Sequence, residues 1–175
     1  MSKVFGNLAD FDFVKEDASR YIISYDLELA ANGKNYTWCE IYFSKKQGKP
    51  DFAKVKQGIL NDINSRTDAN ILTGFTWENK PVYLSTENQF NYKVAYDLAV
   101  QTQGQSLPVT FKLGEDSDEN PIYYTFSDMV EFNNFYVSTI SYVNACLNDG
   151  WEKKDSIDFD EYKPYFPESV IKGEE

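Results

Sequence analysis

The chain has 175 residues, enough for one domain or for two small ones sharing a core. Its 28 acidic against 17 basic residues leave a net charge of −11, which repels nucleic-acid phosphates and anionic lipid. No histidine is present, so Ser-His and Cys-His nucleophile pairs and His-ligated metal sites are excluded.

No apolar run reaches membrane-spanning length, and Met1-Ser2-Lys3-Val4-Phe5 lacks the apolar core of a signal peptide. Cys39 and Cys146 are far apart, and synthesis in a cytoplasm with both reduced and buried is the expectation. Aromatics are abundant, with 13 Tyr, 13 Phe and 3 Trp, which favours strands and gives both core and contact surfaces large apolar side chains.

Residues 4–17 carry Phe5, Leu8, Phe11 and Phe13 among Asp and Asn without a regular period. They read as an extended N-terminal arm, residues 1–17, or equally as a loop or edge strand of the same domain. From residue 18 the pattern sharpens. Tyr21, Ile23, Tyr25, Leu27 and Leu29 alternate on one face, and Asn32-Gly33 supplies a hairpin turn. On the return strand Tyr36, Trp38, Glu40 and Tyr42 alternate with Cys39, Ile41 and Phe43. After the basic loop 45–50, Asp51 caps a helix that buries Phe52, Val55, Ile59 and Ile63. Gly58 within it marks close packing on the sheet, and residues 66–70 form a polar exit.

In residues 71–102 a strand pair turns at Glu78-Asn79-Lys80-Pro81, with Thr73, Phe75 and Trp77 on one side of the first arm. Thr86 and Gln89 form a capping box for a helix that buries Phe90, Val94 and Leu98, flanked by Ala95 and Ala99. Leu107, Val109, Phe111 and Leu113 alternate next, and residues 122–126 return. The acidic loop 114–121 between them is a solvated tip, lacking the ligand order of a calcium loop. Thr125 and Asp128 form a second capping box. The last helix carries Met129, Phe132, Tyr136, Ile140, Val143 and Leu147 at spacings of three and four, with a C-cap at Asn148-Asp149-Gly150. Residues 151–175 turn acidic, aromatic and proline-interrupted, and read as an extended tail suited to docking on a neighbour, or equally as a segment packed back on the domain.

Taken together, these elements predict an α+β fold. Antiparallel sheet is built from hairpins with about three packed helices in a strand-strand-helix rhythm, between extended N- and C-terminal segments. The segments are 1–17, 18–70, 71–150 and 151–175.

The order Ile71, Gly74-Phe75, Trp77, a polar turn, Leu84-Ser85-Thr86-Glu87-Asn88-Gln89 and Asn91 resembles a small phage domain of unknown function found in tail-fibre-associated proteins. The likeness covers about residues 71–150, with Phe111 where many members carry Trp. It implies a non-enzymatic bacteriophage structural protein, a virion component or adaptor of the tail or fibre apparatus acting through protein–protein contacts and made in the host cytoplasm. It implies no catalytic, cofactor or metal residue.

The partners it points to are other virion proteins (fibre, tail or capsid components), with a homo-oligomer possible and neither nucleic acid nor membrane bound directly. In the two terminal segments Phe5, Phe11, Phe13, Phe159, Tyr162, Tyr165 and Phe166 are the candidate partner-docking side chains. Two other readings stand beside this one: a fibre-assembly chaperone, and a carbohydrate-binding module stacking sugars on Trp38 and Trp77. An enzyme using Asp10 with Asp12, or Asp158 with Asp160, ranks last.

Overall fold

The computed structural model describes residues 2–166; the remainder of the predicted tail, 167–175, lies outside the described residues. Eight strands and three long helices follow in the order β1 (Ser2–Gly6), β2 (Val14–Glu16), β3 (Arg20–Leu29), β4 (Tyr36–Ser44), α1 (Phe52–Thr73), β5 (Phe75–Trp77), β6 (Lys80–Val82), α2 (Thr86–Gln101), β7 (Val109–Glu115), β8 (Pro121–Phe126) and α3 (Met129–Ser156). All strand pairs are antiparallel, so the fold is α+β. The strand-strand-helix sequence recurs three times, from β3 to α1, from β5 to α2 and from β7 to α3.

The chain divides into two compact units, Met1–Ser65 with Trp151–Glu175, and Arg66–Gly150. This replaces the four sequential segments expected. Helices α1 and α3 each run without a break across a boundary between segments. The helix bounds move accordingly. Residues 66–70 are helical and not a polar exit, and Gly150 lies inside α3 and not at its cap. A β-carbon on Gly150 would overlap the Thr67 hydroxyl, so this glycine serves a close helix approach.

In the first unit the four strands pair in the order β1-β4-β3-β2. Ile23, Tyr25, Cys39 and Ile41 face Val55, Ile59 and Ile63 of α1. Gly58 fits as expected, since a β-carbon there would stand 2.9 Å from both Ile41 and Phe43. Asp51 caps α1 by accepting from the Lys54 N–H at 2.8 Å.

The expected run of alternation in β3 stops early. Asp26 takes a left-handed φ of 57°, a bulge separates Tyr25 from Glu28, and Leu27 and Leu29 are left exposed. The turn that follows is a six-residue loop closed by Ala30 N–H to the Asn35 carbonyl, in which only Gly33 has positive φ.

Of the readings open for residues 1–17, the edge strand is the one found. β1 pairs with β4 through Val4 opposite Trp38, and β2 pairs with β3 through Lys15 opposite Ile22. Gly6 lies on the Trp38 ring, and Phe11 meets that ring edge-on at 5.9 Å. A central hairpin of nine- and ten-residue strands has two edges with unsatisfied backbone groups, and these two short strands satisfy them.

In the second unit the β5–β6 hairpin turns on Glu78 and Asn79, both with positive φ, as a two-residue turn of twist-matched type requires. Its first arm is shorter than expected because Thr73 ends α1. The caps shift by one or more residues from the boxes read in the sequence. Ser85 caps α2 by accepting from Asn88 N–H, and Asp128 alone caps α3 while Thr125 pairs with Thr110 in the sheet. Phe75, Val82, Leu84, Tyr92, Ala99, Leu113, Phe126, Phe132 and Phe135 form the core. Its rings meet mostly edge-on or tilted, as Tyr92 does on Phe111 and Phe135.

Candidate docking surface

The seven terminal aromatics separate into three groups. Tyr162 and Phe166 are buried in the core of the first unit, and the Tyr162 hydroxyl donates to the Ser24 carbonyl at 2.8 Å. Burial also pushes the Tyr162 phenol's pKa upward. Both are thus anchors of the chain on itself and are withdrawn as docking residues.

Phe11, Phe13 and Phe159 are half-buried. Phe13 meets Tyr162 edge-on at 5.5 Å, Phe11 meets Phe13 at 5.1 Å, and Lys56 lies over the Phe159 ring. Phe5 and Tyr165 alone stay exposed, at 61% and 41%. The physical reason is that aromatic rings spaced by acids can still reach a core when the segment carrying them is pinned by strand pairing or by a 3-10 turn such as Phe159–Tyr162.

The tryptophans proposed as sugar platforms are engaged internally. Trp38 is buried under Gly6 and Phe11, and Trp77 packs on Phe126 and Phe135.

Helix α2 supplies the surface that sequence reasoning missed. Phe90, Val94 and Leu98, expected in the core, are 64%, 49% and 50% exposed. The helix instead packs through Tyr92, Ala95, Tyr96 and Ala99. Tyr96 stacks on Tyr136 at 4.4 Å, meets Phe132 edge-on, and donates to Asn133 Oδ1 at 2.5 Å.

Both sets of residues recur at helical spacing, so periodicity alone cannot choose between them. The tyrosine side wins because it meets the aromatic face of α3 and gains ring contacts as well as a hydrogen bond. The signal available in the sequence was that α2 is apolar on two opposite sides. One side fills the core, and the other is left as a row at i, i+4 and i+8.

Polar groups frame this row. Glu87 and Asn91 lie at its N-terminal end and Gln101 at the other, while Lys93 pairs with Asp97 at 2.5 Å along one flank. An open groove of about 670 Å³ begins at the same end of the helix. Pro81, Tyr83, Ser85, Glu87, Asn88 and Lys112 are among its walls.

Among the described residues, no group of three or more Cys, Asp or Glu could hold a metal ion, and no helix is long and apolar enough to cross a membrane. Cys39 is buried and Cys146 half-buried, and no disulfide joins them. No family model, curated protein or solved structure matches the chain.

Proposed function

We propose that this chain is a non-catalytic bacteriophage structural protein, a component or adaptor of the tail or fibre apparatus that works through protein–protein contacts. The observation that carries the reading is the outward row of Phe90, Val94 and Leu98 on a helix whose other side is already packed. A folded protein that leaves a Phe, a Val and a Leu in one exposed line keeps a surface suited to association. The phage assignment rests on the resemblance carried by Gly74-Phe75, Trp77 and the run from Leu84 to Asn91. Phe5 and Tyr165 add two exposed aromatics outside that row.

Mass spectrometry of purified particles from cells carrying the gene tests the proposal. Recovery at a fixed ratio to fibre or tail proteins is the expected result. Recovery only with fibres in the lysate, and not in finished particles, would favour an assembly chaperone instead. Recovery with neither would remove the phage reading.

A further inference from the structure

We infer that the groove at the start of α2 is a docking site for an arginine side chain carried on a basic segment of a partner protein. The groove is a separate feature from the outward row of α2 and meets it only at Glu87. The inference does not depend on the phage assignment.

The walls come from β6 and the residues after it, from β7 and from the first turn of α2. Local hydrogen bonds hold them. Tyr83 N–H donates to the Leu113 carbonyl at 2.7 Å, which fixes Tyr83 against β7. Asn88 Nδ2 donates to the Tyr83 carbonyl at 2.8 Å, and Asn88 N–H donates to Ser85 Oγ at 3.1 Å. The groove is thus framed before any ligand arrives.

What the walls leave unspent selects the ligand. Lys112 is the cation of the groove, and it is already paired with Glu115 at 2.7 Å. Glu87 is exposed and has neither an ion-pair nor a hydrogen-bond partner among the described residues. Asn88 spends its amide on Tyr83 and keeps Oδ1 as an acceptor. The Tyr83 side chain is 46% exposed. Acceptors beside an aromatic face, with no spare cation, fit a ligand that donates and that can lie on a ring.

A guanidinium has that chemistry. It carries N–H donors and no acceptor, stacks on aromatic faces, and is more weakly hydrated than an ammonium. Charge acts in the same direction. The chain stands at −11, and the cations of Arg66–Gly150 are Arg66, Lys80, Lys93 and Lys112 against a clear excess of acids, so a basic partner is drawn to this unit. Arginine is the cation enriched at protein–protein interfaces. The groove volume of about 670 Å³ also leaves room for the segment that bears the side chain.

Titration of the full chain, labelled with nitrogen-15, with a short peptide of alternating glycine and arginine tests this. Amide shifts should saturate, centre on residues 83–88 and 112–115, and weaken as salt rises. The same peptide with citrulline for arginine keeps the shape without the charge and should bind about tenfold less tightly. A lysine peptide should bind about threefold less tightly. Glu87→Gln should weaken the arginine peptide about tenfold, and Tyr83→Leu, which keeps apolar bulk without a ring, about threefold. Glu152→Gln removes the same charge from an exposed site in the other unit and should change nothing.

An absence of shifts at the groove residues overturns the inference. So does equal affinity for the lysine or citrulline peptide, unchanged affinity in Tyr83→Leu, or a loss in Glu87→Gln no greater than in Glu152→Gln. A neutral oligosaccharide that shifts the same amides while the peptide does not would make the groove a sugar site, and overturns it too. None of these outcomes bears on recovery from particles, so the groove and the phage reading stand or fall separately.

Discussion

Gly74 follows the last residue of α1, and a β-carbon on it would overlap the Tyr142 hydroxyl and stand 2.8 Å from the Asn70 carbonyl oxygen. The same hydroxyl donates to that carbonyl at 2.9 Å, so a side chain at 74 must displace both a hydrogen bond and backbone. Gly74→Val should lower stability by about 2–3 kcal/mol, measured as a shift in the urea midpoint. An unchanged midpoint would show that α1 and α3 can separate there without loss. Tyr92 illustrates the opposite kind of constraint. Its hydroxyl is buried without a hydrogen-bond partner, and burial pushes its pKa up to about 12. Above pH 10 the unfolded chain releases a proton that the folded chain keeps. The stability tied to this group is thus whole below pH 10 and is lost as pH rises from 10 toward 12. Tyr92→Phe should leave stability at pH 7 unchanged or raise it, because an unpartnered hydroxyl is removed, and should make the alkaline fall shallower. Urea midpoints at pH 7 and pH 11 check both halves.

At the scale of the element, α2 shows how two apolar sides compete for one core. The row of Phe90, Val94 and Leu98 loses to a tyrosine row because Tyr96 and Tyr92 find Tyr136, Phe132 and Phe135 on α3. Replacing Phe90 or Leu98 with Ser should cost no more than about 0.5 kcal/mol, as at other exposed sites. Phe135→Ala, which empties a buried site ringed by Phe75, Trp77, Tyr92 and Phe126, should cost about 3–5 kcal/mol. Equal losses at Phe90 and Phe135 in urea denaturation would mean that the helix is rotated from the orientation described.

For the whole molecule, the two terminal segments complete the first unit. β1 and β2 are two of its four strands, and Tyr162 and Phe166 are two of the nine buried core side chains among its described residues. A chain trimmed to residues 18–151 should therefore fail to form this unit. Hydrogen exchange in β3 and β4 should fall to the unprotected level of a loop. Tyr162→Ala in the full chain should weaken the same strands by about 3–5 kcal/mol without removing them. Retained protection in the trimmed chain would return the terminal segments to the role of docking arms.

The α+β class, the three strand-strand-helix repeats, the Asp51 cap, the Glu78-Asn79 turn and the fit of Gly58 were legible in the residues, because each depends on near neighbours or on a period of 2 or 3.6. The features left open or misread all depend on partners distant in the chain. Residues 2–16 pair with strands at 21–23 and 36–40. Tyr162 reaches Ser24 across 138 positions, and α1 and α3 continue past their apparent stops to the place where Gly150 and Thr67 meet. The candidate site follows the same division. The apolar content of α2 could be read from residues 86–101, but which of its two sides faces water depends on α3, whose ring face begins some thirty residues later. A helix that is amphipathic in two directions has no inside until another surface covers one of them.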